Sequence, residues 1–159
     1  MATDLQEILI FGIAEQRFAL PLSSVERVIR AQAITKVANS PAFINGVIDY
    51  YGEVIAVINL RSRFAFTTEE IKLIDSIIVV NTATRKLALI VDCIEDVYSP
   101  GAEDMKNPED IDQGLKYLKI MRDDKGIVLI YDLENVLSVV EEIELKQLLE
   151  ANFEPNVGV

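Results

Sequence analysis

The sequence predicts an all-β fold with short helices, built from small barrels. Short apolar runs recur along the chain and turn residues separate them closely. The gaps between the runs are too short for the helices of a β-α-β layout. At 159 residues, the chain can form one domain or two small barrels that share a core.

The first half of the chain predicts five strands. They are expected at Glu7–Ile13, Arg17–Leu20, Val25–Arg30, 47–51 and 53–58. The three residues after Ile13 indicate a hairpin between the first two strands, and Gly52 indicates a tight turn between the last two. The stretch from Ser40 to Arg61 is therefore expected to be a barrel hairpin that presents a surface.

The second half predicts a further set of strands. They are expected at Ser76–Asn81, Lys86–Ile94, Val97–Ser99, Leu118–Arg122 and Gly126–Tyr131. Asp123–Gly126 is typical of a hairpin turn, because Gly126 can adopt a positive φ. Between the two sets, Thr67 and Glu70 have the spacing of a capping box and indicate a short helix. Pro100–Gly114 is acidic and is expected to be a surface loop.

The segment after Asp132 predicts a C-terminal helix over 132–150. Its apolar residues approximate a helical stripe, and Asp132 is a suitable N-cap. The helix could pack across the barrels or reach a partner. The imperfect stripe and the acidic residues Glu141, Glu142 and Glu144 favour packing. Residues 151–159 are expected to fray.

Charge and hydropathy exclude several functions. The 15 basic and 26 acidic residues give a net charge of −11, which disfavours binding to nucleic acid or to an anionic membrane surface. The apolar runs are far shorter than the roughly 20 residues that a membrane-spanning helix needs. The first residues lack the pattern of a signal peptide. A cytoplasmic protein without direct membrane insertion is expected.

The residue types needed for catalysis or metal binding are scarce. The sequence has no histidine and one cysteine, Cys93, which lies in an apolar run and is predicted to be buried. Asp110 and Asp112 suggest a calcium loop, but Gly114 comes one position early and Met121 occupies the place of the bidentate Glu. The sequence therefore predicts no catalytic residue, no metal site and no cofactor.

Exposed apolar residues on a strand would indicate a binding surface instead. Val25, Val28 and Ile29 follow the Ser23–Ser24 turn, where a barrel edge could present them. Filling the barrel is the alternative for each of them. Since consecutive strand residues point to opposite faces, Val28 and Ile29 cannot both face the same barrel interior.

Several motifs, taken together, resemble those of the chemotaxis coupling protein (CheW) family. They are Phe18–Val25, Ala38–Val47, Gly52–Arg61 and Leu87–Asp92, and the resemblance spans about residues 6–140. It implies two intertwined five-stranded SH3-like β-barrels in one domain, over residues 1–150. The implied first barrel covers 15–75, and the second covers 76–131 together with the strand at 6–13.

The resemblance also implies a non-catalytic scaffold with two kinds of partner. One surface of the first barrel would bind the regulatory domain of a chemotaxis histidine kinase. The groove between the barrels would bind the hairpin tip of a chemoreceptor, and through these partners the protein would join membrane-associated arrays. Val25, Gly46 and the Tyr51–Gly52 turn match positions where the family contacts the receptor or supports that contact.

The chain departs from the family pattern at this turn. Tyr51 replaces the usual arginine, Arg27 replaces a common acid, and Ala56 replaces a proline. We expect a cation–π contact or a hydrogen bond between Arg27 and Tyr51 in place of an ion pair. The predicted partner-binding residues are Val25, Arg27, Ile29, Gly46, Tyr51 and Gly52.

Three other functions stay open at this stage. The departures at the turn fit an adaptor that serves an alternative signalling system, such as one for motility or development. Barrels of this family also stack end to end, so the chain could be a structural subunit that forms rings with other CheW-like barrels. A small-molecule regulator that uses the groove is the third alternative.

Overall fold

The computed structural model describes residues 7–64, 75–101, 105–106 and 117–153. The strands in this part of the chain are β1 (Ile8–Ile13), β2 (Gln16–Pro21), β3 (Val25–Arg30), β4 (Ile44–Tyr50), β5 (Glu53–Ile58), β6 (Ser76–Asn81), β7 (Lys86–Val91), β8 (Cys93–Tyr98), β9 (Met105–Lys106), β10 (Tyr117–Asp123) and β11 (Gly126–Tyr131). Helix α1 (Leu60–Arg63) follows β5, and helix α2 (Val139–Asn152) follows the last strand. Short 3-10 turns occupy Leu22–Ser24 and Leu133–Asn135.

The strands form two sheets that are intertwined along the chain. One sheet has the order β8-β1-β2-β11-β10-β9, and the other has the order β3-β6-β7-β5-β4. The first sheet joins the N-terminal hairpin to the C-terminal strands through a parallel pairing of β2 with β11. The predicted all-β fold with a C-terminal helix is confirmed; β9 is a two-residue sixth strand at one edge.

The division of the strands between the two units differs from the sequence prediction. β2 was expected in the first barrel but pairs with β1 and β11 in the other sheet. β6 and β7 were expected in the second barrel but complete the sheet of β3, β4 and β5. The parallel pairings of β2 with β11 and of β5 with β7 cause both differences, since they join strands that are distant in sequence.

The core consists of three apolar clusters. One gathers residues from all strands of the five-stranded sheet, including Ile48, Val57 and Ile77. A second lies within the other sheet, and the third joins residues of both sheets, α2 and the segment before it. Along β6, Ile77 belongs to the cluster within the sheet and Ile78 to the shared cluster. Both faces of β6 are therefore buried, which explains its uninterrupted apolar sequence.

The two edges of the five-stranded sheet approach each other. β3 and β4 stand at opposite ends of the strand order, yet Ile29 of β3 packs against the cluster that contains Tyr50 of β4. The sheet thus curls into a barrel around this cluster. The same curvature brings the start of β3 to the β4–β5 turn, where the predicted site lies.

The C-terminal helix begins later than predicted. Asp132 accepts a hydrogen bond from the Glu134 amide, but this opens only the 3-10 turn Leu133–Asn135. Helix α2 has its N-cap at Ser138, which forms a capping box with Glu141. Leu145 is buried in the shared cluster, so α2 packs on the barrels. Of the tail expected to fray, Ala151 and Asn152 belong to α2, and residues 154–159 lie outside the described part.

Three other local predictions have different outcomes in the structure. Cys93 was predicted to be buried, but it is exposed at the start of edge strand β8, because Asp92 separates the apolar run into two strands. Part of the predicted loop after Pro100 forms β9, and its residues 102–104 and 107–114 lie outside the described residues. The predicted helix at Thr67–Glu70 also lies outside them.

Candidate partner-binding site

The β4–β5 turn places an aromatic ring in solvent. Tyr51 and Gly52 both have positive φ angles, 51° and 88°, and Tyr50 pairs with Glu53 across the turn, as in a type I′ hairpin. The amide of Gly52 donates a hydrogen bond of 2.8 Å to Asp49 Oδ1. A positive φ costs a non-glycine residue about 1 kcal/mol. The turn holds Tyr51 in this conformation with 77% of the residue exposed.

Arg27 of β3 contacts Tyr51 in two ways. Its Nη1 donates a hydrogen bond of 2.8 Å to the Tyr51 hydroxyl oxygen. Its guanidinium carbon lies 5.1 Å from the centre of the Tyr51 ring, within the range of a cation–π interaction. The predicted contact between Arg27 and Tyr51 is therefore confirmed, with both of its alternatives present together. The pair links the two edges of the five-stranded sheet.

A second pair lies beside the first, between Glu26 and Tyr50. The Tyr50 hydroxyl donates to the Glu26 carboxylate, and the Asn81 amide donates to the same carboxylate at 3.2 Å. These hydrogen bonds, helped by Lys86, lower the pKa of Glu26. The hydrogen bond to the Glu26 carboxylate also raises the pKa of Tyr50. Glu26 is thus a fixed anion beside Arg27, and the sequence prediction did not include this pair.

A bulge in β3 sets the directions of the neighbouring side chains. The pairing of β3 with β6 shifts register between Val25 and Arg27. Val25 then packs against the shared cluster, whereas Ile29 packs against the cluster inside the barrel. Both are half-buried. Val28 faces the other way and is 40% exposed, which confirms that Val28 and Ile29 do not share a face.

Gly46 lies close to the backbone of residues 34–35. A Cβ atom at Gly46 would lie 2.4 Å from the Thr35 carbonyl oxygen and 2.6 Å from Ile34 Cγ2. Thr35 and Val47 form an isolated β-bridge there, and the β4–β5 register shifts at this position. With φ at 150°, Gly46 allows residues 34–35 to lie against β4. It supports the barrel wall beneath the turn.

Arg27 differs from most of the other described arginines in the kind of side chain that it contacts. Ion pairs engage Arg17, Arg61, Arg63 and Arg85. Among the described residues, none forms an ion pair with the exposed Arg27, whose contact is the neutral Tyr51. In a chain of net charge −11, this leaves a positive charge available at the surface.

The structure places the six predicted partner-binding residues in two groups. Arg27, Tyr51 and Gly52 meet at the β4–β5 turn. Val25 and Ile29 pack against the core clusters, and Gly46 lies against residues 34–35. Reasoning from sequence missed Glu26 and Tyr50; their adjacency to Arg27 and Tyr51 was the only signal. Within the described ranges, no three His, Cys, Asp or Glu residues are grouped to hold a metal ion.

The architecture and the sequence both match known proteins. Residues 7–141 match the model of the CheW-like domain. The chain belongs to this family. It is 31% identical over 143 residues to the chemotaxis protein CheW of Thermotoga maritima, a match that covers 89% of this chain and 91% of the relative. The corresponding protein of Treponema pallidum is 22% identical over 149 residues, covering 89% of this chain and 88% of the relative.

A solved structure supports the same assignment. The crystal structure of scaffolding protein TtCheW from Thermoanaerobacter tengcongensis superposes on this CheW-like domain with a TM-score of 0.77 and 27% identity. The match covers 84% of this chain and 93% of that one. The predicted family, its fold and a non-catalytic scaffold of chemotaxis signalling are confirmed. Over the residues that the structure describes, no helix is long and apolar enough to cross a membrane.

Proposed function

We propose that this protein couples a chemoreceptor to the regulatory domain of a chemotaxis histidine kinase, in the cytoplasm and without catalysis. The Arg27–Tyr51 pair is the observation that supports receptor binding. It lies on the surface of the first barrel, and the resemblance matches the Tyr51–Gly52 turn to a place where the family contacts the receptor or supports that contact. It also holds an aromatic ring in a costly turn conformation, a feature that clusters at binding sites.

Two roles are assigned within the site. Arg27, Tyr51 and Gly52 form the surface that meets the receptor's helical hairpin tip, with Tyr51 as an amphipathic anchor. Val25, Ile29 and Gly46 support it, since they fix β3 and β4 from below. Val25 packs against the shared cluster, which connects this surface to the other sheet.

A titration with purified partners tests this proposal. The wild-type protein is expected to bind both the receptor hairpin fragment and the kinase regulatory domain with micromolar affinity. Arg27→Ala and Tyr51→Asn are expected to weaken receptor binding about tenfold, the loss typical of one good contact. Asn suits the positive φ at position 51, so this variant should remain folded.

The matched control is Arg122→Ala, which removes an exposed arginine from β10 in the other sheet. Its receptor binding should equal that of the wild type. All variants should retain their affinity for the kinase domain. Absence of binding to both partners would refute the coupling function, and equal losses in all three variants would refute the assigned surface.

A second candidate function is that of a ring-forming subunit that pairs with other CheW-like barrels. The edge strand β8 favours it, because Val97 is 42% exposed and Tyr98 36% exposed on a strand whose outer edge pairs with no described strand. Light scattering over a concentration series distinguishes the two functions. A protein that stays monomeric at high concentration, alone and with other barrels, excludes the ring.

A further inference from the structure

Helix α2 has an apolar face that the barrels do not cover. Val139, Val140 and Ile143 are 79%, 64% and 53% exposed. They share one side of the helix, while Leu145 on the other side is fully buried. The capping box between Ser138 and Glu141 fixes the start of the helix, so this ridge is a well-defined part of the surface. We refer to Val139, Val140 and Ile143 as the α2 ridge.

A cavity of about 440 Å³ adjoins the ridge. It lies between the β6–β7 turn and the start of α2, and Val139 belongs to both the cavity wall and the ridge. Its apolar lining comes from Leu133, Val136 and Leu137. Glu134 and Glu142 also line it, together with the polar residues Thr82, Thr84, Asn135 and Ser138, so a pocket of mixed character with two carboxylates adjoins the apolar ridge.

The surroundings of the ridge are acidic. Glu134 accepts a hydrogen bond from the Ala83 amide at 3.0 Å, and Glu142 pairs with Arg85 at 3.0 Å. Glu144 and Glu150 are exposed on α2. Lys146 is the basic residue of this helix. Carboxylates therefore dominate around the ridge and cavity, on a chain that already carries a charge of −11.

We infer that the α2 ridge and its cavity bind a basic amphipathic helix of another protein. Aliphatic residues of that helix would cover the ridge, and its lysine or arginine side chains would meet the exposed carboxylates of Glu134, Glu144 and Glu150 at the rim. This is the helix-against-apolar-surface mode of recognition, with the partner's charge complementary to the acidic rim. A second copy is disfavoured because pairing α2 with α2 would bring the same carboxylates together. The residues assigned to receptor contact, Arg27, Tyr51 and Gly52, belong neither to the ridge nor to the cavity lining.

A defined peptide tests the inference. The probe is a synthetic amphipathic helix of about 18 residues with leucine on one face and lysine on the other. NMR titration of the full-length ¹⁵N-labelled protein should shift the amides of Thr82–Arg85 and of the first two turns of α2. A peptide with glutamate in place of lysine should not bind, since the rim repels it.

Variants separate apolar recognition from plain charge attraction. The double variant Val140→Ser/Ile143→Ser is expected to bind the lysine peptide about tenfold more weakly, because two apolar contacts are lost. The control Ile127→Ser changes an aliphatic residue of β11 that is 46% exposed, and should bind like the wild type. Thermal melts check that every variant is folded.

Three results would overturn the inference. Shifts spread over the acidic surface would mean charge attraction alone, as would equal affinity of the double variant and the wild type. A concentration-dependent dimer that the double variant abolishes would assign the ridge to a second copy of the chain. None of these readouts uses the receptor or the kinase, so they are independent of the proposed coupling function.

Discussion

Arg27 and Tyr51 join the two edges of the barrel through a contact between a cation and a neutral aromatic side chain. Their hydrogen bond and ring contact connect β3 to the β4–β5 turn, at the two edges of one sheet. The contact was predictable because both residue types differ from the family pattern at positions expected to face each other. The bulge at Glu26 was not predictable, because it depends on the pairing with β6.

A double-mutant cycle measures the Arg27–Tyr51 coupling. We expect the combined variant of Arg27→Ala and Tyr51→Ala to lose less unfolding free energy than the two single losses added together. The difference should be at least about 0.5 kcal/mol, the size of an exposed cation–π contact. Urea denaturation of the four proteins gives this value. Additive losses would show that the two side chains do not interact in solution.

Substitution of Gly46 should have a measurable effect on stability. Gly46→Ala should lower the free energy of unfolding by about 2–4 kcal/mol, because the new Cβ would overlap the Thr35 carbonyl and φ is unfavourable. Gly126→Ala is the matched control, since its φ is also positive but nothing lies within 4 Å. It should cost about 1 kcal/mol. Equal losses of unfolding free energy in the two variants would mean that residues 34–35 can move away from the new Cβ.

At the scale of elements, local signals explain what could be predicted. The strands were found from their apolar runs and turn residues. The start of α2 was misplaced because Asp132 and Ser138 are both suitable N-caps, and the capping box with Glu141 decides in favour of Ser138. Cys93 was misplaced because Lys86–Ile94 was predicted as one strand, whereas Asp92 separates β7 from the edge strand β8.

A charged cluster holds three elements together and should make stability depend on pH. Arg17 of β2 forms ion pairs of 2.8 Å with Glu95 of β8 and with Asp123 of the β10–β11 hairpin. Chiefly through its hydrogen bond, Arg17 lowers the pKa of Asp123 from 3.8 to about 2. The pKa of Glu95 is also lowered. Both carboxylates are therefore more acidic in the folded protein than in the unfolded chain.

The direction of the pH effect follows from these shifts. Above about pH 5 the Asp123 carboxyl is ionised in both the folded and the unfolded protein, so its contribution to stability is complete. As the pH falls from about 4 to 2, the unfolded chain binds the proton first and the contribution, about 1–2 kcal/mol, is lost. Urea denaturation at pH 6 and pH 2.5 should show a smaller decrease for Arg17→Gln than for the wild type. Arg122→Gln should behave like the wild type, and identical decreases in all three proteins would contradict the assignment.

At the scale of the whole molecule, the shared cluster makes the two barrels one folding unit. Leu9 and Phe11 of one sheet and Ile78 and Leu89 of the other belong to it. Asp92 adds a polar link, since it accepts hydrogen bonds from Arg61 after β5 and from the Ala14 amide in the β1–β2 turn. Neither sheet can unfold without exposing one face of the other.

We therefore expect a single unfolding transition. Amides of β6 and β7 should lose protection from hydrogen exchange at the same denaturant concentration as those of β10 and β11. Ile78→Val, in the shared cluster, should lower the denaturant midpoints of both sheets equally. The change should correspond to a loss of about 1 kcal/mol in the free energy of unfolding. If the variant lowered the denaturant midpoint of the five-stranded sheet alone, the barrels would unfold separately.

The division of strands between the sheets was the part that the sequence could not reveal. Hairpins such as β4–β5 and β10–β11 connect neighbours and can be recognised from their turns. The pairing of Phe18 with Leu129 joins strands with most of the chain between them, and no local pattern encodes it. The resemblance to the family supplied two intertwined barrels but not their correct boundaries.

The parallel pairing of β2 with β11 also affects folding during synthesis on the ribosome. The β1–β2 hairpin is synthesised early, but its parallel partner β11 emerges only after more than half of the chain has followed. The strands of the five-stranded barrel are complete at Val91, but the shared cluster cannot close until β11 and the segment after it have been made. During that interval the barrel's face towards the missing sheet stays bare, and the nascent protein is then most dependent on chaperones.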